Sequence, residues 1–429
     1  MLRAWIKGSL VMIVSSAFFC SLPLISSAQD IFIEEDVLTL AQCIKIALQV
    51  HPDVVGAQKK VEAQESRVGQ ASSQNYPTLS ASTNYARSSP AGGSVHSNYS
   101  SDVSLSQLVT DFGQRETQID IQKENVTVTE FQANDRQRNV AYSVSEAYYG
   151  VLATKRNVAV AEETVKQFEE HLRQAQGFYE AGTAPRFDVT KAQVDLSTAR
   201  LDLIKARSSL EIAWKTLNNA MGFMDAPSYD IADDMDFKVY EITKEEALER
   251  AMANRPDLKA QEHTAVSAQK SLRLAAKGQS PTLSAYAAYN FEGRDFPLDE
   301  GWNYGLSLSV PVFDGHLVEY KTKEAAANLE EVNLATESMK NDIILEVEQG
   351  YLSLIESEER VGVSELTVKQ AEENLELALG RYEAGVGSPI EVTDATVALN
   401  DARRNYIQAL YDYRMASMAL KSAMGESMP

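Results

Sequence analysis

The chain has 429 residues, 44% of them hydrophobic, with 61 acidic against 40 basic side chains and a formal charge of −21. That balance speaks against nucleic acid as a partner, because a phosphate backbone is held by clustered Lys and Arg. Two cysteines, Cys20 and Cys43, are too few for a disulfide framework.

Residues 1–28 read as a secretory signal peptide. Arg3 and Lys7 open it, Ser9 to Ile25 is largely apolar, and Ser26-Ser27-Ala28 supplies the small residues of a cleavage site. A membrane anchor is disfavoured by Pro23 and by that site, and lipid attachment at Cys20 by the bulky Phe18-Phe19 before it. Cleavage after Ala28 leaves 38 basic against 61 acidic residues, a charge of −23, and Cys43 as the one thiol, read as a small buried residue. No later stretch approaches 18 uninterrupted apolar residues, so any further membrane span has to be β.

After the leader the same signals occur twice, giving a first repeat at 29–222, a connector at 223–241 and a second repeat at 242–429. Thr39-Leu40-Ala41-Gln42 and Thr243-Lys244-Glu245-Glu246 each predict a capping box at a helix start. His51-Pro52-Asp53 and Arg255-Pro256-Asp257 predict a break after the first turns. Helical pattern resumes to Tyr76-Pro77 and Ser280-Pro281, where Pro-Thr-Leu-Ser opens alternating stretches. Loops with Pro90, Gly92 and Gly93, or with Gly293 and Pro297, lead into a second alternating stretch in each half. The clearest runs from Trp302 to Val312: Trp302, Tyr304, Leu306, Leu308, Val310 and Val312 point one way, and Asn303, Gly305, Ser307 and Ser309 the other. That is the length, alternation and aromatic end of a transmembrane β-strand facing lipid. A half-buried strand of a soluble sheet would share the alternation.

Turns at Asp111-Phe112-Gly113 and Asp314-Gly315 end the strands, and two proline-free helical runs follow, from about Arg115 to Glu180 and from about Leu317 to Glu383. Each would be about 100 Å long at 1.5 Å per residue. Both end in the same hairpin tip: Phe178 to Arg200 repeats as Arg381 to Arg403, with Tyr-Glu-Ala-Gly at 179–182 and 382–385 and Val-Thr at 189–190 and 392–393. Seams at alternating spacings of 3 and 4 run up to each tip, from Val158 to Tyr179 and from Val361 to Tyr382. They return with a large residue and an alanine alternating from Val189 to Ala220 and from Val392 to Ala423. Heptad spacing specifies left-handed supercoiling, and the alanines allow close approach.

Four such strands cannot close a barrel, for which eight is the smallest number, and open edges in lipid leave backbone groups unsatisfied. If the strands span a membrane, several chains must share one barrel, and three chains give twelve strands.

The doubled tip motif, the seams ending Ala-Met-Gly at Ala220–Gly222 and Ala423–Gly425, and the doubled Pro-Thr-Leu-Ser together resemble the outer-membrane efflux protein family, the TolC-like channels. The resemblance covers nearly the whole mature sequence. It implies an α+β membrane protein: a homotrimer whose long antiparallel coiled-coil helices form a periplasmic tunnel beneath a 12-stranded barrel in the Gram-negative outer membrane. It also implies a passive exit duct of a tripartite efflux or type I secretion system, docked by its tips on a periplasmic adaptor served by an inner-membrane pump. The connector would sit in a belt around the tunnel. By motif position, Glu391 and Asp394 would form an acidic ring at the entrance, and Asp188, Tyr382 and Tyr179 a tip lock. Gly182, Gly385, Ser388, Val189 and Val392 would form the docking tips. An arginine that joins the lock in the family is replaced here by Gly387, so the lock would be weaker or made differently, with Arg186 as a substitute.

Helix capping is the competing explanation at the tips. Gly182 and Gly385 sit where left-handed caps occur, Ser388-Pro389-Ile390-Glu391 fits a capping box, and Asp188 suits a helix N-terminus. Asp394 is harder to explain as a cap, and three copies on an axis would select cations. The five histidines lie apart without metal-ligand spacing, and no nucleophile elbow, phosphate loop or dinucleotide fingerprint appears, so neither catalysis, a metal nor a cofactor is expected. The alternative function is a soluble periplasmic coiled-coil adaptor or scaffold, with the hairpins but without lipid-facing strands.

Overall fold

The computed structural model describes residues 37–89, 91–223 and 229–426. The leader at 1–28, Pro90, and Pro227 in the connector lie outside the described residues. The first half runs β1 (Val37–Leu38), α1 (Leu40–Val50), α2 (Pro52–Ser72), β2 (Thr78–Ser88), β3 (His96–Thr110), α3 (Gln114–Glu180) and α4 (Arg186–Ala220). The second runs β4 (Asp230–Ile231), α5 (Lys244–Asn254), α6 (Pro256–Ala276), β5 (Thr282–Gly293), β6 (Asp299–Ser309), α7 (Leu317–Glu383) and α8 (Pro389–Ala423). Equivalent helices match in length: 11 residues for α1 and α5, 21 for α2 and α6, 67 for α3 and α7, 35 for α4 and α8.

Local chemistry sets these boundaries. Thr39 and Gln42 close the full capping box on α1, Gln42 Oε1 accepting from the Thr39 amide at 2.7 Å. On α5 only half of the expected box forms. Thr243 Oγ1 accepts from the Glu246 amide at 3.2 Å, but the Glu246 carboxylate turns to Arg250 instead, a charged partner one turn along its own helix. His51 is extended before Pro52, and Arg255 at φ −59° and ψ 120° is likewise non-helical before Pro256; the two prolines open α2 and α6 as proline at the first helical position requires. Asp111 and Asp314 start the long helices: Asp111 Oδ2 accepts from the Arg115 amide at 2.7 Å and Asp314 Oδ2 from the Val318 amide at 2.9 Å.

The Ala-Met-Gly endings close each repeat on its own beginning. Met221 and Met424 are fully buried. A Cβ on Gly222 would lie 2.9 Å from His51 Cα, and one on Gly425 2.7 Å from the Arg255 nitrogen, so only glycine lets α4 and α8 abut the breaks between the short helices. Around this level lies the main apolar core, with Tyr148, Leu152, Val347, Tyr413 and Leu420. Phe223, Ile231 and Met235 of the connector join it, and β4 pairs in parallel with β1. Cys43 is buried there and its thiol is pushed up to about 12 by desolvation.

The four long strands form one antiparallel sheet in the order β2-β3-β5-β6, leaving β2 and β6 as edges unpaired among the described residues. On one face Leu79, Leu105, Trp302, Tyr304, Leu306 and Leu308 are exposed, Trp302 and Tyr304 by 69% and 74%. The aromatics Tyr85, Tyr99, Tyr289 and Trp302 gather toward the end away from the helices. The other face pairs Ser80 with Ser104 and Ser82 with Asp102. β6 is displaced from the expected run, starting at Asp299 and ending at Ser309, so Val310 and Val312 lie beyond it, because Pro311 has no amide for the ladder.

Below the sheet α3 lies between α2 and α6, with α7 beyond α6; farther down it lies between α4 and α8, with α7 beyond α8. The two 67-residue helices therefore run the full height, about 100 Å. Among the described residues no helix is long and apolar enough to cross a membrane.

Candidate functional site: the hairpin tips

Both tips turn by the same backbone device. Gly182 and Gly385 are left-handed at φ +74° and +72°. The amides two residues past each helix cap, Thr183 and Val386, donate to Phe178 O and Arg381 O at 2.9 and 3.0 Å, a Schellman motif. The next residue separates the copies. Ala184 carries a Cβ, whereas a Cβ on Gly387 would stand 2.8 Å from the Tyr382 nitrogen and 2.9 Å from Arg381 C. Gly387 is thus required by the tighter second turn, which has no room for a side chain at the position of the family's arginine.

The cation within the second tip is Arg381; Arg186 stands on the first tip and makes no ion pair among the described residues. Arg381 Nε meets Glu391 Oε2 at 3.2 Å. This corrects the expected capping box, since Ser388 does cap α8 by accepting from the Ile390 amide at 3.3 Å, but Glu391 reaches across the turn. A guanidinium is a stronger partner for the carboxylate than one backbone amide. The sequence signal was the substitution of Arg381 for Phe178 between otherwise matching copies. Asp394 is exposed and has no ion-pair partner among the described residues.

The expected lock residues do not all meet. Tyr382 is buried at 6% exposure between the hairpins, edge-on to Phe178 with centroids 5.4 Å apart. Its Oη has no hydrogen-bond partner among the described residues. Burial first, and then the Asp188 carboxylate, hold its phenol above its ordinary value, so Asp188 is near without a bond. Tyr179, the equivalent of Tyr382, is 45% exposed and stands outside the group. Of the expected docking residues, Gly182 and Gly385 are exposed, Ser388 and Val189 are half-buried, and Val392 is buried among Leu375, Ala378 and Tyr382. Val392 therefore packs the tip from within. The outward apolar side chains are Phe187, Val386 and Ile390, which the seam reading passed over because they fall off the heptad phase.

Further contacts join the two hairpins. Thr393 on α8 donates to Asp195 on α4 at 3.2 Å. Arg403 on α8 pairs with Glu163 on α3 at 2.8 Å and Glu372 on α7 at 2.9 Å. Among the described residues no three His, Cys, Asp or Glu are placed to hold a metal ion.

Comparison with known proteins bears on the family and the fold. The model of the family described as "Outer membrane efflux protein" matches residues 43–223 and again residues 247–426. The chain is 23% identical over 302 residues to outer membrane protein TolC of Vibrio cholerae, covering 67% of this chain and 68% of that one. It is 23% identical over 294 residues to the alkaline protease secretion protein AprF of Pseudomonas aeruginosa, covering 66% and 60%. Its fold overlays a crystal structure of CusC with a TM-score of 0.80 at 17% identity, over 95% of this chain and 96% of that one. The Campylobacter jejuni CmeC outer membrane channel overlays with a TM-score of 0.79 at 16% identity, over 90% and 85%. With one match to each half and most of its length covered, this chain belongs to the outer membrane efflux protein family.

Proposed function

We propose that three copies of the chain form a passive exit duct, with a 12-stranded barrel in the Gram-negative outer membrane and a helical tunnel in the periplasm. The observation that carries this reading is that the sheet and the helical layer are left open at the same two flanks. The sheet ends in β2 and β6, and the helical layer in α4 and α7. Both helical flanks expose apolar residues: Leu201, Ile204 and Ile212 on α4, and Leu352, Val363 and Leu366 on α7. A second copy offering β6 and α7 to β2 and α4 covers both flanks at once, and repetition closes a ring. The outward apolar face of the strands supports lipid contact.

In this reading Asp394, and more weakly the Arg381-paired Glu391, ring the periplasmic entrance three times over and favour cations. The tips receive a periplasmic adaptor through Phe187, Val386 and Ile390, and an inner-membrane pump supplies the energy. The protein itself catalyses nothing. Fractionation tests the placement: the duct requires detergent for extraction, whereas recovery as a soluble periplasmic monomer would favour the adaptor alternative. Asp394→Asn with Glu391→Gln should weaken block by multivalent cations in single-channel recordings, most of it from Asp394→Asn. Unchanged block would leave both acids as helix-end residues only.

A further inference from the structure

The seam between the two hairpins buries a histidine. His171 on α3 is 6% exposed, and its Nδ1 has no hydrogen-bond partner among the described residues. Its ring lies 5.5 Å from that of Tyr382 on α7, whose Oη is also unpartnered. Gln167 and Gln174, at helical spacing on the same face of α3, each carry a buried and unpartnered Oε1. Unsatisfied polar atoms cost stability where they are buried and recover it when water reaches them. A polar stripe of this kind is therefore poorly suited to holding the hairpins together permanently and well suited to letting them part.

We propose that His171 is a proton-operated latch: neutral, it lets the hairpins α3/α4 and α7/α8 pack at the tip, and protonated, it drives them apart. The proposal rests on the duct reading for its consequence, which is that an acidified periplasm opens the entrance. The groups facing the ring set the sign. From α4 come Asp195, Lys191 and Asp188, from α7 the Tyr382 phenol, and from α8 Thr393, which reaches the cluster by donating to Asp195. Asp195 is already engaged by Lys191 at 2.5 Å, so it offers a new cation only part of its charge. Burial is the largest influence and depresses basicity; Asp195 and Asp188 oppose it, Lys191 adds to it, and the outcome lies below the ordinary 6.5. A base whose pKa is depressed by packing binds its proton more tightly once the packing opens. Packing is thus fully favoured above 6.5 and is weakened as pH falls below it. One proton per protomer changes the open-to-packed ratio by at most about tenfold per pH unit.

The test uses the full chain in detergent with Cys43→Ala and spin labels introduced at Thr183→Cys and Val386→Cys, one on each tip. The intramolecular distance should lengthen as pH falls below 6.5. His171→Gln should abolish that slope, and His171→Phe, which keeps a ring against Tyr382, should abolish it too. A merely structural histidine would instead shift the distance equally at every pH. A distance in the parent protein that ignores pH, or the same slope in parent and variants, overturns the latch. Conductance recorded in parallel separates the two readings: a pH-dependent distance without conductance would keep the latch and remove the duct.

Discussion

The two hairpins have the same helix lengths, the same turn and related sequences, yet they bury different things. In the first, α4 exposes Val194, Leu201, Ile204 and Ile212, and the tip tyrosine Tyr179 faces outward. In the second, α8 buries Val392, Ala395, Leu399, Leu410, Tyr413 and Leu420, and Tyr382 is enclosed. The cause is position. The helical layer runs α4-α3-α8-α7, so α8 has neighbours on both sides and α4 on one. Duplication supplied two equal hairpins, and packing them side by side made one inner and one outer helix from each. The inner pair, α3 and α8, has helical neighbours on both sides; the outer pair, α4 and α7, has one open flank each.

That contrast can be broken most severely at the outer flank. Leu201→Asp with Ile204→Asp should abolish assembly while leaving the helical content of the monomer intact, as read by mass in detergent and circular dichroism. Retained assembly would mean that α4 is not an interface. The next largest effect lies in the turns. Gly387→Ala should destabilise the second tip by about 1–3 kcal/mol, because the added methyl meets the backbone of Tyr382 and Arg381 and the Arg381 Cβ. Ala184→Gly at the matching place should cost less, by loss of chain restriction alone. Hydrogen exchange at the two tips checks both, and equal protection loss would contradict the tighter second turn. Smallest is Arg403→Met: its carboxylate partners are about half exposed, so screening holds the loss below about 1 kcal/mol. It should speed exchange at the α3–α8 contact several-fold, an effect that high salt should mimic in the parent protein.

Much of the architecture was legible because it is repeated. The long helices begin and end within a residue of the expected limits, and Pro52, Pro256, Asp111 and Asp314 act where the sequence placed breaks and turns. The site was less legible, since its chemistry depends on contacts between hairpins that no single repeat encodes. Glu391 has a capping-box position in sequence but an arginine across the turn in space. Gly387 reads as a missing arginine until the backbone behind it is seen. Val392 and Tyr179 share the heptad phase of their copies, and phase alone does not say which copy lies inside. His171 had no visible partner in sequence because its neighbours come from α4 and α7.

Closure of the open flanks into a conducting ring can be checked by adding the detergent-purified protein to a planar bilayer and recording current. A closed ring should give discrete, cation-selective conductance steps that disappear with Leu201→Asp and Ile204→Asp. Current that survives those substitutions, or a well-folded protein that never conducts, would contradict it.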